Sequence, residues 1–158
     1  MHKRIVLLFL IITCLSAQAK IITGEVIKIA DGDTLTILTN TKQQEKIRLI
    51  EIDAPERRQA FGNKSQQSLA ELCFKKPAII HYDNRDRYGR ILGRVFCNGI
   101  DANKAQIING MAWVYVKYAK DYSLFAIEKE ARDKQIGLWQ DKNPISPWKF
   151  RRNHPPFS

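Results

Sequence analysis

GEVIKIADGDTLTILTNTKQQEKIRLIEIDAP, residues 24–55, breaks into three apolar runs separated by two polar turns. Gly24–Ala30 is expected to be a strand, with Val26 and Ile29 among β-branched neighbours. Asp31-Gly32-Asp33 is a tight-turn signal, and Thr34–Leu38 alternates as a second strand. Asn40–Lys46 is polar and turn-like. Ile47–Ile52 follows as a third strand and stops at Asp53-Ala54-Pro55, because proline lacks the donor that a ladder needs. Three short strands on short turns make a meander.

Working outward, Glu56–Lys64 reads as a polar loop and Ser65–Phe74 as a helix, with Leu69, Leu72 and Cys73 on one face. Pro77 punctuates, Ala78–Tyr82 returns to strand, Asp83–Gly89 is a charged loop, and Arg90–Cys97 is a strand closed by the turn pair Asn98-Gly99. Ala102–Asn109 is a short helix ended by Gly110. Tyr122–Gln135 is the last helix, with Leu124, Ile127 and Ala131 on one stripe and Gly137 as its stop. The segment from Asn143 holds four prolines and several basic residues and is expected to be extended. Trp139 and Trp148 are expected to be packing residues, as large aromatics mostly are. The fold class is therefore α+β: a five-stranded OB-type Greek-key β-barrel with about three helices. Such barrels often bind oligonucleotides, but a fold does not establish chemistry.

The first residues are expected to leave the chain. His2-Lys3-Arg4 give a positive flank, Ile5–Leu15 is apolar, and Ala17-Gln18-Ala19 has the small-x-small pattern of a leader cleavage site. The expected organisation is a signal peptide over 1–19, an OB-type barrel domain over 20–142, and a basic, proline-rich tail over 143–158. Cleavage between Ala19 and Lys20 would send the protein to the periplasm or the medium. Losing Lys3 and Arg4 lowers the formal charge from +10 to +8. That surplus attracts polyanions, nucleic acid and anionic lipid alike. With Cys14 gone, Cys73 and Cys97 remain as a single pair in an oxidising compartment, and a disulfide is the expected outcome. No CxxC, HExxH or Cys/His cluster supports zinc, and the scattered His2, His81 and His154 do not encourage Ser-His or Cys-His chemistry.

The acids stand where strands meet turns. Asp31, Asp33 and Asp53 can be gathered by the meander, and the Ala54 carbonyl, held by Pro55, can join them around a hard cation such as Ca²⁺. Turn aspartates also serve simply to bond their own backbone. Arg48 lies one strand-length before Asp53, and Arg90 opens another strand. Two guanidinium forks grip a phosphate and stabilise charge building on it. Glu56, just past Pro55, is a carboxylate free to take a proton from water. Each arginine could equally be a surface ion pair.

Asp31-Gly32-Asp33-Thr34, the run Arg48–Glu56 and Asp86-Arg87-Tyr88-Gly89-Arg90 resemble the staphylococcal nuclease (thermonuclease) family in order and spacing. Gly110-Met111-Ala112 and Gly137-Leu138-Trp139 also fit, so the resemblance covers essentially the whole mature chain. It implies Ca²⁺ held by Asp33, Asp53 and the Ala54 carbonyl, with Asp31 behind them. It implies Arg48 and Arg90 on the scissile phosphate and Glu56 as general base. It implies Arg87 and Tyr88 near a terminal phosphate, with Tyr118 stacking on a base. The position two before Tyr118, often aromatic in the family, is Val116, and Trp113 or Tyr115 is the expected substitute. The implied activity is hydrolysis of DNA and RNA to 3′-phosphates by a monomer with no stable membrane partner. The alternative is a non-catalytic OB-fold nucleic-acid-binding module, which would lack these acids and arginines.

Overall fold

The computed structural model describes residues 20–155, so the expected leader (1–19) and residues 156–158 lie outside it. Strands β1 (Lys20–Asp31), β2 (Thr34–Leu38) and β3 (Gln44–Leu49) form the expected antiparallel meander. A two-residue strand β4 (Ile52–Asp53) and helix α1 (Gly62–Cys73) follow. Then come β5 (Pro77–Arg85), β6 (Ile91–Cys97), β7 (Ile100–Asp101), α2 (Ala102–Ile108), β8 (Trp113–Val114) and α3 (Ser123–Asp133). A 3₁₀ turn (Gly137–Gln140) and α4 (Pro147–Asn153) end the chain.

Two pairings convert the meander into a barrel. β1 continues beyond β2 to pair with β5, Ile22 opposite Ile80. Register shifts between Val26 and Lys28 and between Ile29 and Asp31 mark bulges that bend β1 enough to serve both neighbours. β3 then closes the ring by parallel pairing with β6, Ile47 opposite Ile91 and Leu49 opposite Gly93. The result is the five-stranded closed barrel β1-β2-β3-β6-β5. Alternation sends Val26, Leu35, Ile37, Ile47, Leu49, Ile80, Ile91 and Val95 inward, all fully buried. Leu69 of α1, Ile107 of α2 and Leu124 of α3 complete the core.

Cys73 at the end of α1 is joined to Cys97 at the end of β6, with Cα atoms 5.2 Å apart. The bond spans 24 positions, and the chain-entropy account gives it about 3 kcal/mol. Reduction is expected to lower unfolding free energy by that amount. Coincident urea melts of oxidised and reduced protein would refute this.

Three expectations need correction. The third strand ends at Leu49, not Ile52, because Glu51 takes a left-handed conformation (φ 66°) and turns the chain before β4. Among the described residues the barrel carries four α-helices, one more than the roughly three expected. The segment from Asn143 is not an extended tail throughout, because Pro147–Asn153 is helical. Its prolines sit at helix-compatible places: Pro147 occupies the first turn, where its missing N–H is no loss, and Pro155 lies beyond the end. Trp148 then stacks on Tyr115, ring centroids 5.5 Å apart, and holds the helix against the barrel.

Candidate active site

The turn between β1 and β2 is pressed into the protein rather than displayed on it. A Cβ on Gly32 would fall 1.8 Å from Ser65 Oγ and 2.8 Å from the Ala54 Cβ, so only glycine allows α1 this close. The Asp33 amide donates to Asp31 Oδ1 at 3.1 Å, and buried Gln106 of α2 donates to the Gly32 carbonyl at 2.7 Å. Asp33 is thereby aimed inward, where its Oδ1 accepts from the Thr34 hydroxyl (3.1 Å) and its Oδ2 from the Ala54 amide (2.7 Å). Burial pushes the Asp33 carboxyl up to about 7. Arg48 opposes this, while Asp31 and Asp53 add to it.

Asp53 comes to the same place from β4, which pairs with β8. Arg48 of β3 joins the two acids: one nitrogen, Nη2, lies 3.1 Å from Asp33 Oδ2 and 3.1 Å from Asp53 Oδ1. Its other terminal nitrogen donates to the Leu49 and Ile52 carbonyls, the latter at 3.0 Å. Asp33 and Asp53, two of the expected oxygen donors, therefore come together on one guanidinium, with Asp33 bonded to the Ala54 amide. Among the described residues no group of three or more His, Cys, Asp or Glu side chains is gathered for a metal.

Glu56 is not free. Arg151, from α4, donates through Nη1 to Glu56 Oε1 at 2.7 Å and to Asp53 Oδ1 at 3.1 Å, and through Nη2 to Asp53 Oδ2 at 2.7 Å. This guanidinium gives the sequence no local signal, since it reaches the site from 98 positions away. Arg90, at the mouth of β6, is gripped by Asp86. Its Nε donates to Asp86 Oδ2 at 2.7 Å, while the amides of Tyr88 and Arg90 donate to Oδ1. Partial burial pushes the Asp86 carboxyl up, but these bonds to Arg90 and Tyr88 outweigh it and hold it below its ordinary value.

The expected substrate contacts divide. Tyr88 and Tyr118 are exposed, and Arg87 lies over the Tyr88 ring at 4.8 Å and donates to its hydroxyl. Trp113 is instead half-buried in a cluster, edge-on to Trp139 at 4.6 Å and to Trp148 at 5.7 Å, with Arg132 over its ring. Tyr115 is sandwiched against Trp148 and meets Tyr118 edge-on at 4.8 Å. Trp139 is buried, as a packing residue should be.

Two further groups hold the site from behind. Glu51 is buried, and its Oε1 accepts from the amides of Lys120 (2.5 Å) and Asp121 (2.6 Å), pinning the segment that carries Tyr115 and Tyr118. Arg94 faces it at 3.7 Å and is itself bound to Asp101 and Asp121. Asn103 of α2 donates to the Ile50 carbonyl at 2.9 Å and accepts from Val95, fixing the turn that leads to Asp53. In the sequence these polar residues look like surface positions.

Comparison with known proteins identifies the family of the chain. The family described as "Staphylococcal nuclease homologue" matches residues 46–141. Protein ParB of Escherichia coli is 42% identical over 140 residues, covering 82% of this chain and 78% of that protein. An uncharacterized endonuclease of Haemophilus influenzae is 44% identical over 146 residues, covering 92% and 82%. The micrococcal nuclease of Shigella flexneri is 42% identical over 140 residues, covering 82% and 80%.

Proposed function

The chain belongs to the staphylococcal nuclease family, and from that premise we propose that it is a Ca²⁺-dependent nuclease that hydrolyses DNA and RNA with little sequence preference to 3′-phosphates. The observation that carries the reading is one connected network. Asp33 and Asp53 share Arg48, and Asp53 is joined to Glu56 through a single guanidinium. A chain that only bound nucleic acid would have no use for two buried acids and a third beside them.

The donor set fits a hard cation. Asp33 and Asp53 are buried, converge on one nitrogen, and are followed by Ala54, whose carbonyl would complete a set of oxygens with Asp31 behind. Bound there, Ca²⁺ would neutralise phosphate charge and favour attack by water. The chain's own residues do the rest. Arg48 and Arg90 exchange their carboxylate partners for the oxygens of the scissile phosphate, matching its geometry as planar forks. Glu56 accepts a proton from the attacking water. Hydroxide oxygen bonds to phosphorus, the bond from phosphorus to the 5′ oxygen breaks, and that oxygen leaves and takes a proton from solvent. The exposed Tyr118 stacks on a base, while Arg87 and Tyr88 meet a terminal phosphate. Trp113 and Tyr115 act through the aromatic cluster that supports Tyr118. The net charge concentrates polyanions without choosing a base. The Cys73–Cys97 bond is compatible with export, which we include in the reading.

Digestion of single-stranded DNA, duplex DNA and RNA by purified protein tests it, with Ca²⁺, Mg²⁺ or chelator. All three substrates are expected to be cut in Ca²⁺, poorly in Mg²⁺, and to give 3′-phosphate ends. Full activity in excess calcium chelator would overturn the metal assignment.

A further inference from the structure

Every acid of the cluster already has a cation, and one of these cations comes from an element outside the barrel. We propose that Arg151 is a resident counter-ion that Ca²⁺ must displace, so that the metal and the C-terminal helix compete for the same oxygens. This rests on the calcium reading above. Asp53 Oδ1 accepts from both Arg48 (3.1 Å) and Arg151 (3.1 Å), and Oδ2 accepts from Arg151 at 2.7 Å. A carboxylate oxygen with both lone pairs occupied has none left for a metal. A dication on Asp53 would also sit beside the guanidinium in a poorly screened environment, where like charges repel strongly. One of the two must leave.

The structure marks which one. Arg48 is tied down by two backbone carbonyls as well as both aspartates, and its side chain is 13% exposed. The Arg151 side chain is 41% exposed and touches only carboxylates. Its helix is anchored separately, by Trp148 on Tyr115 and by a hydrogen bond from Gln59 to the Ile145 carbonyl just before it. The arm can swing into solvent while the helix stays seated. Its departure also frees Glu56, which Arg151 holds at 2.7 Å. Cation loading and release of the Glu56 carboxylate become one event.

The test is Ca²⁺ binding without nucleic acid, by calorimetry on the full chain, for wild type, Arg151→Met and Arg151→Lys. Arg151→Met is expected to tighten the Ca²⁺ Kd about tenfold, because no internal cation has to be displaced. Arg151→Lys should fall between, since an ammonium cannot reproduce the fork. In melting experiments metal-free Arg151→Met should unfold earlier than wild type, and saturating Ca²⁺ should raise its Tm by more. If Arg151→Met does not fold without metal, Arg151→Lys carries the comparison. Equal or weaker Ca²⁺ binding in the variants reduces Arg151 to a structural clamp and overturns the proposal alone. Absence of Ca²⁺ binding in all three proteins, with cutting that survives chelator, overturns the calcium reading and this inference with it.

Discussion

On the proposed mechanism, Glu56→Gln is expected to lower kcat by about 10²–10⁴, the range of a lost general base, without weakening Ca²⁺ binding. The substitution keeps the shape of the side chain and an oxygen that Arg151 can still reach, but removes the group that takes the proton. Arg48→Lys and Arg90→Lys keep their charge and should still be severely impaired, because an ammonium offers a phosphate no planar fork. Asp33→Asn and Asp53→Asn form a separate class. They remove charge from the pair beside Ala54, so Ca²⁺ affinity falls first and added Ca²⁺ restores part of the rate. Measured kcat and Ca²⁺ Kd for the set separate base, phosphate grip and metal pair. A Glu56→Gln protein within a few-fold of wild type would remove Glu56 from the mechanism.

Glu51→Ala is expected to destabilise the fold by about 4 kcal/mol, the range for breaking a buried, hydrogen-bonded charge. It strips the acceptor from the amides of Lys120 and Asp121 and leaves Arg94 with one fewer partner in its half-buried network. Glu51→Gln retains an oxygen for those amides and should lose about half as much. Guanidinium melts with unchanged slopes provide the measurement. A Glu51→Ala protein within about 1 kcal/mol of wild type would show that the left-handed turn at Glu51, not its carboxylate, orders the segment.

What the sequence made legible follows from how local each signal is. Thr34–Leu38 was readable to the residue because Leu35 and Ile37 alternate with polar neighbours and a turn precedes them. The Cys73–Cys97 bond was readable because, with the expected leader set aside, no other cysteine remains to partner either one. The acids and arginines were readable through motif spacing, but not their mutual ion pairs. The first four residues of β1 were missed since their partner strand, β5, lies far along the chain and no nearby pattern announces it. Asn103 and Gln106 were missed because a buried amide and a surface amide look alike until the carbonyls they serve are known. Proline count argued for an extended tail at α4, where proline position mattered instead. Arg151 is the extreme case: its role exists only after a helix docks beside Asp53.

Barrel closure by β3 on β6 has a bearing on the order of assembly. The strands that bring Asp33 and Arg48 together are sequence neighbours whose loops close over short distances, whereas Asp53 lies on β4, whose partner is β8. Pairing of Ile47 with Ile91 is non-local, and loop closure of that kind is slow to be rewarded. The first meander therefore sets Asp33 beside Arg48, and Asp53 is fixed only when β8 pairs with β4. Arg90 joins only when the ring shuts, and Arg151 only when the last helix is made. A chain that ended after the meander would hold Asp33 and Arg48 without the second carboxylate or the second guanidinium. Completion of the site is thus tied to completion of the whole fold.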